Sequence, residues 1–154
     1  PYLALIWGVV GSPQAQVRTP GKNQKHVLYG GLNLRTGKLT GSWAPTKSGS
    51  HFISFLEVLL ADYPDHNVLL ITDNGSFHHT IKVNAFLEAH SAKLEVKWLP
   101  PYCPDLNDIE RTWRKLKASH ASNFLFNSLD DLVANVQKGI EELNARVVDI
   151  TRTN

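Results

Sequence analysis

Apolar and polar positions along this chain sort it into short elements. Residues 26–34 and 38–44 have the composition of β-strands, and Arg35, Thr36 and Gly37 between them read as a short hairpin turn ending in glycine. Ser48 to Ser50 can cap a helix. Its apolar residues Phe52, Phe55, Leu56, Leu59 and Leu60 recur at the i, i+3, i+4, i+7, i+8 spacing of one helical face. The helix is predicted to stop near Pro64. Val68, Leu69, Leu70 and Ile71 form an unbroken apolar run, the pattern of a central strand buried on both faces. Val83, Phe86, Leu87 and His90 mark one side of a second helix, and Leu94, Val96 and Trp98 alternate with Glu95 and Lys97 as in a strand.

The proline-rich loop of residues 100–104 leads into a helix predicted over residues 107–117. A last amphipathic helix carries Leu129, Leu132, Val133, Val136, Ile140 and Leu143, and Ser128 with Asp131 gives it a capping-box-like start. Residues 1–25, rich in Gly, Pro, Gln and Ser, read as an extended arm. The order ββαβαβαα puts antiparallel strands first and β–α–β units second. It predicts an α/β domain with a mixed sheet flanked by helices.

Composition narrows the function classes. The 154 residues suffice for one domain with a core, and 42% hydrophobic against 19% charged content excludes a disordered chain. No apolar run reaches the ~18–20 residues a membrane span needs. The longest, around residues 52–60, is broken by Ser54 and Glu57. No basic residue precedes the N-terminal apolar stretch, so no secretory signal is read. The expectation is a cytoplasmic protein without a membrane partner. The lone Cys103 excludes a disulfide framework and a CxxC zinc site, leaving His or oxygen ligands for any metal. A net charge of +2 does not by itself name a nucleic-acid partner. The chain opens at Pro1 and contains no Met, so it reads as a piece of a longer protein.

Two acids stand where chemistry is usually built. Asp73 follows the apolar run directly, at the carboxyl end of the predicted central strand, where open α/β sheets gather their ligand sites. Asn74 and Gly75 let the chain turn there, and Asp-Asn-Gly is equally an ordinary turn composition. Glu110 lies in the first turn of the helix after the prolines. Asn107 as N-cap with Glu110 three residues into the helix would equally be a capping box. Ile109, Trp113 and Leu116 should face the core, with Glu110, Arg114 and Lys117 on the adjacent stripe. A carboxylate followed by cations suits a metal site beside a phosphate backbone, and Glu110 with Arg114 also suits a plain i,i+4 ion pair.

The segment Ile71-Thr72-Asp73-Asn74-Gly75-Ser76-Phe77-His78 and the longer segment from Leu99-Pro100-Pro101-Tyr102-Cys103-Pro104-Asp105 through Leu106-Asn107-Asp108-Ile109-Glu110-Arg111-Thr112-Trp113 resemble the second and third acid motifs of DDE-type transposases. The similarity is to the Tc/mariner group, in its bacterial insertion-sequence branch. The 36 residues between Asp73 and Glu110 agree with that group's spacing. Cys103 stands where the family usually has Ser, and Asp108 where it often has Pro.

The resemblance implies an RNase H-like domain over residues 1–154 that cuts and joins DNA with Mg²⁺ or Mn²⁺, two ions held by Asp73 and Glu110. It implies DNA partners, the terminal inverted repeats and the target, with Arg114 and Lys117 on the phosphates and a homodimer working on paired ends. The family's first catalytic Asp lies on a strand upstream of the Trp7 arm, and no acid precedes Glu57 here. The expectation is therefore a domain without its first strand, carrying two of three acids and inactive as it stands. The rival readings are a plain RNase H-like nuclease and a catalytically dead remnant that only binds DNA or protein. His78 and His79 are weighed as phosphate or metal contacts against partly buried polar groups. Arg18, Lys22 and Lys25 are weighed as DNA contacts against a solvated arm, and Trp7 and Trp43 as stacking platforms against packing residues.

Overall fold

The computed structural model describes residues 24–100, 106–122 and 126–152. The arm expected over residues 1–25 lies, up to residue 23, outside the described residues, and Arg18, Lys22 and Trp7 with it. Strands β1 (Val27–Leu32) and β2 (Leu39–Ala44) pair antiparallel, from Val27 opposite Ala44 to Leu32 opposite Leu39. Asn33 builds the turn between them. Its Oδ1 accepts from Arg35 N at 2.9 Å and Thr36 N at 3.1 Å, and its carbonyl accepts from Gly37 N at 2.7 Å. Gly37 sits at φ 78°, a left-handed conformation that glycine takes without a Cβ clash.

Helix α1 (Gly49–Asp62) follows, with Ser48 Oγ accepting from His51 N as the expected cap. Strand β3 (Val68–Thr72), a single 3₁₀ turn (Ser76–His79) and helix α2 (Ile81–Ala89) lead to strand β4 (Leu94–Trp98). β4 lies parallel to β3, with Val68 opposite Leu94 and Thr72 opposite Trp98. Helices α3 (Ile109–His120) and α4 (Leu129–Arg152) close the chain. Ser128 and Asp131 form the reciprocal cap their spacing predicts. Ser128 N donates to Asp131 Oδ2 at 3.1 Å and Asp131 N to Ser128 Oγ at 3.0 Å. None of the helices among the described residues is long and apolar enough to cross a membrane.

Strand alternation divides the interior in two. Val27, Tyr29 and Ala44 face a core completed by Phe52, Phe55, Leu56 and Leu59 of α1 and Val83 of α2. Leu28, Leu32, Leu39 and Trp43 face the other way, against Leu116 of α3 and Val136 and Ile140 of α4. Trp43 is thus a packing residue, and its Nε1 donates to Gln137 Oε1 at 3.3 Å. Asn144 of α4 matches the backbone of Leu39 in both directions, accepting from its N–H at 2.8 Å and donating to its C=O at 2.9 Å. The hairpin is covered on both faces.

Strands β3 and β4 differ from the expectation. Val68, Leu70, Leu94 and Val96 pack on the α1–α2 side, but Leu69 is 57% and Ile71 45% exposed. The unbroken apolar run predicted burial on both faces. In the structure α3 and α4 lie over the hairpin instead, and no described residue covers that side of β3. Beside Leu69 and Ile71, on β4, Glu95 and Lys97 form an exposed ion pair at 2.7 Å. Strand directions are mixed as expected, in two separate two-stranded ladders among the described residues.

Two contacts yield tests. A Cβ added at Gly30 would stand 2.5 Å from Cη2 of Trp113, so the indole packs on bare backbone. Trp113 itself is half-buried, so its truncation should cost less than the ~3–5 kcal/mol of a fully buried aromatic. Gly30→Ala should lower stability by about 1–3 kcal/mol through overpacking. In a Trp113→Ala background most of that loss should vanish; additive losses in denaturant melts would contradict the contact.

The second contact joins β2 to the end of α1. Asp62 Oδ2 accepts from Thr40 Oγ1 at 2.5 Å and from Lys38 Nζ at 3.0 Å. Burial pushes the Asp62 carboxyl upward, but the Thr40 hydroxyl and the Lys38 charge outweigh it and hold it below its ordinary value. A carboxyl depressed by folding contributes stability above its unfolded value, lost as pH falls through the folded one. Acid unfolding below about pH 4 should therefore be less steep in Asp62→Asn than in the parent, with little difference in slope near neutrality.

Candidate active site

Asp73 is the first residue beyond β3, at the carboxyl end of the parallel pair. Leu99 N donates to Thr72 O at 2.8 Å, carrying the pairing one step past both strands. The chain then turns onto the Asp73 side chain, whose Oδ1 accepts from Gly75 N at 3.2 Å. His78, in the 3₁₀ turn, donates Nε2–H to the same oxygen at 3.0 Å. Both donors share Oδ1, and no described residue donates to Oδ2. The Asp73 side chain is 61% exposed and that of His78 only 5%. Asp73 is thus a turn residue, as its neighbours imply, and also a presented carboxylate.

The His78 ring is wedged among aromatic groups. Its centroid lies 4.1 Å from that of Phe52 on α1, 3.8 Å from Phe77 and 5.8 Å from Trp98 at the end of β4. Burial holds the imidazole below its ordinary pKa. The Asp73 carboxylate pulls upward, and Lys47 and His79 add to the lowering. A carboxylate only accepts, so the proton of the neutral ring sits on Nε2 and leaves Nδ1 as a bare lone pair. Nδ1 is buried and has no hydrogen-bond partner among the described residues. His79 bonds Asn74 Oδ1 through Nε2, with its ring 4.5 Å from that of Trp98. Both histidines brace the turn after β3. Their spacing from Asp73 and Asn74, five residues in each case, was the signal available in the sequence.

Glu110 occupies the first turn of α3, exposed. The expected capping box with Asn107 does not form. The helix cap is Asp108, in a helical conformation and without a side-chain cap bond. Glu110 N–H donates instead to Asn107 O at 3.0 Å, a backbone turn that takes the place of the Asn107 side chain as its acceptor. The Glu110–Arg114 ion pair does not form either, and among the described residues the Glu110 carboxylate takes no partner. Of the inward stripe, Leu116 is buried, while Ile109 and Trp113 are half-buried against the same core. Arg114 and Lys117 are exposed as expected. The structure brings Asp73 together with Gly75 and His78, and Glu110 is not among its contacts. Residues 101–105, Cys103 included, lie outside the described residues. No group of three or more His, Cys, Asp or Glu gathers at metal-binding distance among those described.

The sequence model of the DDE superfamily endonucleases matches residues 1–133. The chain belongs to that family. It is 32% identical over 145 residues to the insertion element IS630 uncharacterized 39 kDa protein of Shigella sonnei, covering 94% of this chain and 42% of that protein. It is 29% identical over 107 residues to the uncharacterized protein y4pE/y4sA of Sinorhizobium fredii, covering 69% of this chain and 76% of that one. The chain therefore spans less than half the length of its Shigella relative. The fold is similar to that of Mos1 transposase in its paired-end complex with the left transposon end, at a TM-score of 0.63 and 17% identity over 96% of this chain and 49% of that one. It is also similar to a chain in the simian T-cell lymphotropic virus intasome bound to PP2A regulatory subunit B56 gamma, at a TM-score of 0.54 and 18% identity over 75% of this chain and 42% of that one. These neighbours establish the RNase H-like fold. By family this chain belongs with the DDE superfamily endonucleases, and an insertion-element protein is among its relatives in sequence.

Proposed function

We propose that this DDE endonuclease domain serves to cut and join DNA in transposition as part of the longer protein that carries it, with Asp73 and Glu110 as two of the three metal-binding acids. The observation that carries the reading is Asp73: an exposed carboxylate at the carboxyl end of a parallel strand pair, with one oxygen tied by two donors and the other open. Glu110 supports it, with a carboxylate that takes no partner among the described residues. Such hard oxygen donors fit Mg²⁺ or Mn²⁺. When bound, a pair of these ions supplies an activated attacking oxygen and a stabilised leaving oxygen for phosphodiester cleavage.

The chain's own residues account for the rest. Gly75 and His78 hold Asp73 in place, and the neutral state of His78 leaves the carboxylate charge undiminished for cations. Glu110 sits in the first turn of α3, the end of a helix that favours anions. Arg114 and Lys117, both exposed, continue its stripe and would neutralise DNA phosphates. The DNA would be the terminal inverted repeats of an insertion element and its target, handled by a homodimer on paired ends.

Cleavage of a labelled terminal-repeat duplex with Mg²⁺ or Mn²⁺, by the longest protein that carries this chain, tests the reading. Asp73→Asn and Glu110→Gln should each lower the rate by at least the ~100-fold that a ~1 Å misplacement costs. Unchanged rates in both would remove the two acids from the mechanism. Nicking without joining would leave a plain nuclease.

DNA affinity gives an independent check. Arg114→Gln and Lys117→Gln should each weaken binding whatever the sequence and flatten the slope of log affinity against log salt by about one. A salt slope identical to that of the parent would place both cations away from the DNA.

A further inference from the structure

We infer that His78 is a positioning residue for Asp73, holding its carboxylate in the orientation that receives the metal. The inference rests on the reading of Asp73 as a metal ligand and extends it to a residue that touches neither metal nor DNA. Three observations converge. The Nε2–Oδ1 bond of 3.0 Å joins a buried donor to a mostly exposed acceptor, so the rigid partner is the histidine. The ring has little freedom to swing, because Phe52, Phe77 and Trp98 approach it from α1, from its own turn and from the end of β4. Finally, Nδ1 is buried without a partner among the described residues, which an apolar ring in the same slot would avoid. A residue serving only the core would do better as phenylalanine. What imidazole adds at this position is the hydrogen bond to Asp73.

The geometry also explains the division of labour between the two Asp73 oxygens. Gly75 N and His78 Nε2 both donate to Oδ1, which restrains the carboxylate and leaves Oδ2 without a donor among the described residues. Without His78 the one remaining donor among the described residues, Gly75 N at 3.2 Å, leaves the side chain free to rotate. Partners of this kind orient a metal-binding carboxylate, and their loss commonly weakens metal affinity by about 10–100-fold.

The test separates the donor from the packing. His78→Phe keeps a ring in the pocket and removes the donor. His78→Gln keeps an N–H donor at a similar reach and removes the ring. Mn²⁺ binding is measured by the electron paramagnetic resonance of free Mn²⁺ in the presence of terminal-repeat DNA, alongside thermal melts of each variant. His78→Phe should bind Mn²⁺ at least about tenfold more weakly with a melting temperature no lower than the parent, and His78→Gln should stay within about threefold of it while melting earlier. Asp73→Asn is the control: if it binds Mn²⁺ like the parent, Asp73 is no ligand and the underlying reading fails. If Asp73→Asn is weak and His78→Phe is not, the positioning role alone is overturned. A measurement on the unmodified protein needs no metal. Nitrogen-15 spectra of the imidazole should show the His78 proton on Nε2, with a shift that moves in Asp73→Asn; a proton on Nδ1 would refute the inference.

Discussion

The β1–β2 hairpin sends alternate side chains into two different cores, and this burial on both faces organises everything else. Tyr29 and Ala44 commit one face to α1, and Leu39 and Trp43 commit the other to α3 and α4. The helix that carries Glu110 is therefore anchored through Trp113 over Gly30 and through Leu116, while the strand that ends at Asp73 is anchored through α1 and α2. The elements that carry the two acids are thus anchored through different cores on the same hairpin.

Within that frame, the turn after β3 concentrates polar chemistry against an aromatic wall. Phe52, Phe77 and Trp98 exclude water from His78, and its desolvation keeps the ring neutral despite an adjacent carboxylate. A neutral donor orients Asp73 without cancelling its charge. A protonated histidine at 3.0 Å would oppose the approach of any divalent cation. The hydrophobic packing of α1 thus reaches the electrostatics of the site through a single imidazole.

Much of this was legible in the chain. The cap at Ser48, the face of α1, the hairpin closed by Gly37, the reciprocal cap of Ser128 with Asp131 and the order of the elements all rest on interactions between residues a few positions apart. Such interactions leave a periodic or local trace in sequence. The family, too, was readable from the segments around Asp73 and Glu110. What failed was of another kind. Leu69 and Ile71 looked doubly buried because an apolar run reports what a residue tolerates, not which layer comes to cover it. At Asn107 the expected capping box gave way to a backbone turn, with the Asn107 carbonyl as acceptor for the Glu110 N–H.

By itself, then, the sequence determined the elements, their order, the two acids at their ends and the family that such acids in such segments denote. Only the tertiary structure decided that α3 and α4 lie over the hairpin, that Trp113 rests on Gly30, and that His78 is buried with its donor on Asp73. The physical reason is range. Propensity and capping act across one turn of chain. The partner of Oδ1 and the environment of its ring are set by Phe52 and Trp98, residues brought from α1 and β4 by packing that no local pattern encodes.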